Sequence, residues 1–161
     1  MARAVETDPY HKFRFHLVDP SGGNLDPVAG FMSVTMPDVS LAEAVYREGV
    51  FVWSQKYPGI PTVSDITLTK GIFRRNSDFY KWVKKCITGG EDYRADLVMN
   101  QYHISDEWGI NGTPSRVTRL LECFAKGTKA TDDGTATDSE IAVQTLTLSC
   151  EQAVPELVPT P

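Results

Sequence analysis

The chain has 161 residues, a length that suits one domain with its own apolar core. Hydrophobic residues make up 41% and charged residues 23%, values typical of a folded globular protein and not of a disordered chain. The formal net charge of −5 argues against broad, non-specific binding to nucleic acid, because such binding requires a basic surface.

The three cysteines, Cys86, Cys123 and Cys150, are widely spaced and odd in number. This spacing argues against a disulfide framework or a structural zinc site, and it predicts reduced thiols in a protein made in a cytoplasm. Residues 1–10 are polar and charged, and no stretch approaches 18 apolar residues. The sequence therefore predicts no signal peptide and no direct membrane anchor.

The hydrophobic pattern repeats mainly every two residues, which predicts a mainly β protein. Residues 1–10 are predicted to form an N-terminal arm, and residues 11–151 an antiparallel β-sandwich or barrel of about seven strands. Residues 152–161 contain three prolines and are predicted to form a Pro-rich C-terminal tail that cannot pair as a central strand. The predicted strands are 12–18, 28–35, 41–47, 62–72, 93–104, 116–125 and 140–150.

One segment, 76–88, changes to a helical period. Its apolar residues fall at i, i+3, i+4, i+7 and i+8, namely at Phe79, Trp82, Val83, Cys86 and Ile87. Asn76 or Ser77 suits the N-cap, and Gly89 suits a left-handed stop. We predict one amphipathic α-helix that lies across an open end or face of the sandwich or barrel.

A long loop is predicted between the third and fourth strands, over Glu48–Pro61. It is too aromatic for an ordinary solvated loop, and its candidate assembly residues are Glu48, Phe51, Trp53, Tyr57 and Pro58. The loop either folds back on its own core or orders against a neighbouring subunit, since aromatic residues are enriched at interfaces.

Catalytic motifs are missing from the sequence. We find no phosphate-binding loop, no dinucleotide fingerprint, no nucleophile elbow and no His-Glu-x-x-His motif. Cys123 could pair with His103 as a nucleophile, but its place beside Leu121 in the alternating pattern favours a buried thiol. The sequence predicts no catalytic, cofactor-binding or metal-binding residue, and hence a protein that is not an enzyme.

Six segments resemble, in order, the tail-tube protein family of contractile phages and related contractile injection systems. They cover roughly residues 8–151: Asp8–Phe15, Val28–Phe31, Tyr46–Gly49, Tyr57–Gly59 with Asp65–Gly71, Phe79–Trp82 and Ile141–Leu148. The chain departs from many members at Met32–Met36. This departure leaves open whether the chain is the main tube subunit or a tube-initiating homologue near the baseplate.

The resemblance implies a fold of the tail-tube type, with six copies in a ring and rings stacked into a hollow tube. It implies a sheath protein, baseplate proteins and tube-initiator proteins as partners, with DNA or a protein effector carried in the lumen. It also implies assembly in a bacterial cytoplasm and a place in a phage tail or a released injection particle. A secreted ring protein of the type-six kind and a small-molecule binding barrel remain alternatives.

The resemblance gives two sets of residues a hypothetical role. The long loop is predicted to make the contact between rings. The polar rows of two strands are either an ordinary solvent face or the wall of a wet lumen, and alternation alone does not separate these readings. The rows consist of Asp65, Thr67, Thr69, Thr145, Thr147 and Ser149.

Overall fold

The computed structural model describes residues 11–25, 30–50, 52–74, 77–104, 106, 112–133 and 140–157. Within these ranges the chain forms nine strands and one helix, and the predicted mainly β class with an amphipathic helix is confirmed. The elements are β1 (Phe15–Val18), β2 (Ser33–Thr35), β3 (Val39–Tyr46), β4 (Gln55–Val63), β5 (Ile66–Gly71), α1 (Asp78–Thr88), β6 (Arg94–Gln101), β7 (Arg116–Lys129), β8 (Val143–Ser149) and β9 (Gln152–Leu157).

Seven strands form one antiparallel sheet, which we call the main sheet. Its order is β1-β6-β7-β8-β5-β2, and β9 pairs with β7. Strand β7 has 14 residues and joins two parts of the sheet: its first half pairs with β6 and β9, and its second half pairs with β8. The strands β3 and β4 pair only with each other, in a separate two-stranded sheet.

The core lies on the concave side of the main sheet. Leu17 on β1 and Leu68 on β5 are far apart in the strand order, yet they belong to one cluster of buried residues. The sheet must therefore bend around a single core. Helix α1 covers this core with Phe79 and Trp82, and the indole Nε1 of Trp82 donates a hydrogen bond to the carbonyl of Tyr93 at 2.7 Å.

Helix α1 forms as predicted, but its buried stripe is shorter. Phe79 and Trp82 are buried and Val83 and Cys86 are partly buried, whereas the prediction for Ile87 is wrong, since this residue is 77% exposed in the last turn.

As predicted, Gly89 adopts the left-handed conformation at the C-terminus of the helix, with φ 67°. Asp78 lies in the first turn, where a negative charge suits the helix dipole. Ser77 occupies the N-cap position, but its side chain makes no capping hydrogen bond. Asn76, the other predicted cap, lies outside the described residues.

The predicted loop over Glu48–Pro61 is wrong for its second half, because residues 55–63 form β4. The predicted strand over 62–72 is in turn divided. Strand β4 ends at Val63 and β5 begins at Ile66. The sequence did not predict β4 as a strand, because it contains Pro58, Gly59 and Pro61, residues with low strand propensity. In addition, β4 buries neither of its faces, so it lacks an alternating hydrophobic pattern.

The predicted C-terminal tail is wrong for residues 152–157, since this segment pairs with β7 as β9. Pro155 stands opposite Thr118 in the ladder. A proline is tolerated here because β9 pairs along one side only among the described residues, and an edge strand does not need every N–H group. Residues 1–10, the predicted N-terminal arm, lie outside the described part of the chain, as do residues 158–161.

Candidate assembly surfaces

The two-stranded sheet is a prolongation of the main sheet. Strands β2 and β5 pair with Thr35 opposite Thr67, and β3 and β4 continue in the same register with Val39 opposite Val63. Two hydrogen bonds connect the two ladders: the N–H of Ser64 donates to the carbonyl of Asp38 at 3.0 Å, and the N–H of Asp38 donates to Ser64 Oγ at 2.8 Å. We call residues 39–63 the arm.

The arm projects beyond the core. Strand β3 has eight residues, so the arm extends about 25 Å from the main sheet. None of its residues from Val39 to Tyr46 is buried. Two-stranded hairpins of this kind are marginal in water when nothing packs against them. The arm is therefore a candidate surface for contact with another chain.

One face of the arm carries aliphatic side chains. Val39, Leu41 and Val45 lie on this face because side chains at every second position point the same way, and Leu41 is 63% exposed. Val39 stands opposite Val63, and Leu41 opposite Pro61. On the same face Lys56 and Glu43 form an exposed ion pair at 3.1 Å.

A bulge bends the arm in its middle. The register shifts between Leu41 and Glu43, where β4 carries one extra residue. At Gly59 an added Cβ would lie 2.8 Å from the carbonyl oxygen of Ala42. Only glycine allows the two strands to approach this closely, so the bulge depends on Gly59.

The tip of the arm is apolar and exposed. Val50 is 91% exposed, and Val52 and Trp53 are also largely in solvent. All the predicted ring-stacking residues belong to the arm by sequence. Glu48 and Trp53 lie at the tip, and Tyr57 and Pro58 lie on β4. Phe51 lies outside the described residues, and the contact with another ring stays a prediction.

The predicted polar rows meet in one surface of the main sheet. Thr67 is opposite Thr147, and Thr69 is opposite Thr145. These threonines are half-buried and face away from the core, since their strand neighbours are fully buried. We call them, with Ser149, the threonine surface. Whether it lines a lumen stays a prediction.

Strand β2 extends the threonine surface by two residues that the sequence pattern missed. Ser33 stands opposite Thr69, and Thr35 opposite Thr67, and both are exposed. Their alternation was readable, but their position beside β5 depends on a strand pairing that alternation does not reveal. Asp65 lies at the entry to β5, where its carboxylate accepts a hydrogen bond from Lys126 at 2.6 Å.

The described residues offer little for catalysis. They contain no group of three His, Cys, Asp or Glu side chains placed to hold a metal ion. No helix in the described ranges combines the length and the apolar character needed to cross a membrane. Cys123 is fully buried, as predicted, and burial raises the pKa of its thiol, which disfavours a nucleophilic thiolate.

Three solved structures share this fold across nearly the whole chain. A chain of the extended sheath–tube complex of PVC, an extracellular contractile injection system, superposes with a TM-score of 0.79 at 23% identity, covering 96% of this chain and 95% of that chain. A chain of the anti-feeding prophage cap gives 0.78 at 22% identity, with 94% and 93% covered. A chain of the anti-feeding prophage baseplate gives 0.73 at 14% identity, with 96% and 99% covered.

Sequence comparison gives the family. None of the curated proteins matches this sequence. The family model of the T4-like virus tail tube protein gp19, however, matches residues 9–154, which include the arm, the threonine surface and helix α1. Together with these superpositions, the match confirms the predicted tail-tube type of fold. Because the match covers most of its length, the chain belongs to the T4-like virus tail tube protein gp19 family.

Proposed function

We propose that this chain is the repeating subunit of the inner tube of a contractile tail or a phage-tail-like injection system. Six copies form a ring, and rings stack around a lumen that carries a protein effector or DNA. A sheath surrounds the tube, and a baseplate with tube-initiator proteins starts it. Membership of the tail tube family supports this role, as does the likeness to a chain of a sheath–tube complex. Catalysis is no part of the proposed role.

The arm is the observation that carries the proposal. It places aliphatic side chains in water at a distance from their own core. A folded monomer leaves this surface uncovered, whereas a second copy in the next ring covers it. Each copy then offers an arm and receives one on a different surface. Such a head-to-tail contact repeats without limit and builds a filament.

Sheet edges supply the contact within a ring. Among the described residues, β1, β2 and β9 each pair along one side only, which leaves rows of N–H and C=O groups available. Exposed edges invite pairing with another chain, so proteins either protect them or use them. Sideways pairing between copies closes a ring and leaves no lateral edge open.

In this ring the threonine surface faces the lumen. The hydroxyl groups make the wall of the lumen hydrated and uncharged. A cargo of positive or negative net charge therefore passes without strong binding. Replacing Thr145 and Thr147 together by arginine should change the amount of cargo that copurifies with tubes, while rings still form. Thr88→Arg, at the exposed C-terminal end of α1 on the opposite side of the main sheet, is the matched control. Unchanged cargo loading in the double variant would contradict a lumenal position.

Shortening the arm tests the proposal directly. A variant in which a two-residue Asn-Gly turn replaces residues 47–54 keeps both strands but lacks the apolar tip. We expect soluble monomers or single rings in electron micrographs, with unchanged circular dichroism, and no long tubes. Tubes of normal length from this variant would show that the tip makes no contact between rings.

A tube-initiating role is the second candidate. It is favoured by the likeness to a chain of the anti-feeding prophage baseplate, although the TM-score and the identity are lower than for the sheath–tube chain. The copy number in native particles separates the two roles. A main tube subunit is present in many rings, whereas an initiator contributes a single ring.

A further inference from the structure

Two of the three cysteines face each other across neighbouring strands. Strand β7 pairs with β8 up to Phe124 opposite Ser149, and with β9 from Leu121 opposite Gln152. Both ladders keep the same register, and two residues on each side separate them. In the gap β7 bulges at Glu122, which has φ 53°, and the ladders on either side bring Cys123 on β7 next to Cys150 at the junction of β8 and β9.

Both thiols point into the core. Cys123 is 0% exposed and Cys150 is 6% exposed, and both belong to the same buried cluster. The two thiols lie close enough to interact with each other. Burial raises the pKa of both thiols. The pair is therefore stable as two neutral thiols in a reducing compartment.

The spacing of the pair suits a disulfide bond. Directly opposed residues in an antiparallel pair have Cα atoms about 4.5 to 5.5 Å apart. Disulfide-bonded cysteines have Cα atoms about 4.4 to 6.8 Å apart, so a bridge needs little movement of the backbone. Cys86, in contrast, lies on helix α1 and is half-buried against the carbonyl of Tyr93.

We propose that Cys123 and Cys150 are a modification site that forms an internal disulfide with a small-molecule disulfide as the oxidant. When a local opening of the fold exposes both thiols to solvent, the thiolate of Cys150 attacks one sulfur of the oxidant and releases one small thiolate. The thiolate of Cys123 then attacks Cys150 Sγ and releases the second. The protein loses two protons and two electrons, and the oxidant becomes two small thiols.

The bridge would hold the C-terminal strand in place. It links the middle of β7 to the point where β8 becomes β9, and it closes the chain segment that contains β8 into a loop. Such a loop restricts the unfolded chain and raises the unfolding temperature. If the particle is released from the cell, the bridge forms after release; that timing rests on the proposed function, whereas the bond itself does not.

Thiol counting on the full chain tests the proposal. The protein is refolded in a buffer of reduced and oxidised glutathione, and a second sample is kept in a reducing buffer. In the oxidised sample we expect one free thiol in place of three, a mass lower by two hydrogens, and a peptide that joins Cys123 to Cys150. Its unfolding temperature should be higher than that of the reduced sample.

Two variants give the controls. Cys86→Ser should keep the bridge and the thermal shift, whereas Cys123→Ser should lose both. Three free thiols after refolding in oxidised glutathione, or a bridge that involves Cys86, would overturn the proposal. Assembly is measured separately by electron microscopy. A bridged chain that forms no rings refutes the tube function but supports the disulfide. Tubes that form without the bridge support the tube function but refute the disulfide.

Discussion

Replacing Leu41 by serine should weaken the proposed contact between rings and leave the folded subunit intact. Leu41 lies on the aliphatic face of the arm and is 63% exposed, so it contributes little to the core of its own chain. Because full burial of a leucine contributes roughly 1.5 to 3 kcal/mol, covering this exposed part in a tube contributes about 1 to 2 kcal/mol for each copy.

The free energy lost at each copy adds up over the subunits of a ring. A junction between two hexameric rings contains the contact at every subunit, so the substitution costs about 6 to 12 kcal/mol for each junction. Since about 1.4 kcal/mol corresponds to a tenfold change, the association constant between rings should fall by at least about four orders of magnitude. Tubes should therefore give way to single rings at the same protein concentration.

Sedimentation velocity and negative-stain electron microscopy give the readout. The Leu41→Ser variant should sediment as a single species of ring size and unfold at the temperature of the unmodified chain. Ile87→Ser is the matched control, since Ile87 is an aliphatic residue that is also largely exposed, at 77%, and lies on α1 and not on the arm. Tubes of unchanged length from Leu41→Ser, or a large loss of its monomer stability, would refute the reasoning.

Three further predictions concern the subunit itself. Gly59→Ala should disturb the arm, because the added Cβ would lie 2.8 Å from the carbonyl oxygen of Ala42. We expect a reduced yield of tubes and an unchanged unfolding temperature of the subunit. A normal tube yield would contradict this prediction. Lys70→Ala should lower the free energy of unfolding by about 2 to 3 kcal/mol in urea titrations, because Lys70 is buried and its Nζ lies 4.5 Å from the centre of the Phe79 ring. Burial opposes the charge of Asp19, but hydrogen bonds from Ser21 and from backbone N–H groups outweigh it and lower the pKa of this carboxyl below 3.8. Its contribution to stability is then present above this ordinary value and is lost as the pH falls through the lowered pKa, so Asp19→Asn should be less stable at neutral pH and lose less stability in acid. Equal acid sensitivity of the two proteins would count against it.

The sequence predicted best the elements that bury one face. In β5 and β8, buried and half-buried residues alternate, and Phe79 and Trp82 of α1 mark its buried stripe. These signals are local, because one-sided burial imposes a period of two on a strand and of 3.6 on a helix.

Two strands with residues typical of loops or chain ends escaped prediction. Strand β4 lies in the arm, where solvent contacts both sides, and its prolines and glycine are typical of loops. Strand β9 contains Pro155, which is compatible with an edge position but not with the centre of a sheet.

The sequence predicted only part of the two candidate surfaces, the arm and the threonine surface. Aromatic residues marked the tip of the arm, and alternation marked the threonines of β5 and β8. Val39, Leu41 and Val45 were not predicted as assembly residues, because apolar residues in a strand pattern normally indicate a core. Only the departure of the arm from the main sheet exposes them, and that depends on the pairing of β3 with β4 alone.

Electron cryomicroscopy of the purified full chain at high concentration, with its baseplate partners added, tests self-assembly most directly. We predict hollow tubes of stacked six-fold rings in which the arm of each copy lies against a copy in the next ring and the threonine surface lines the lumen. A monodisperse monomer under these conditions, or rings joined without contact through the arm, would contradict the proposed assembly.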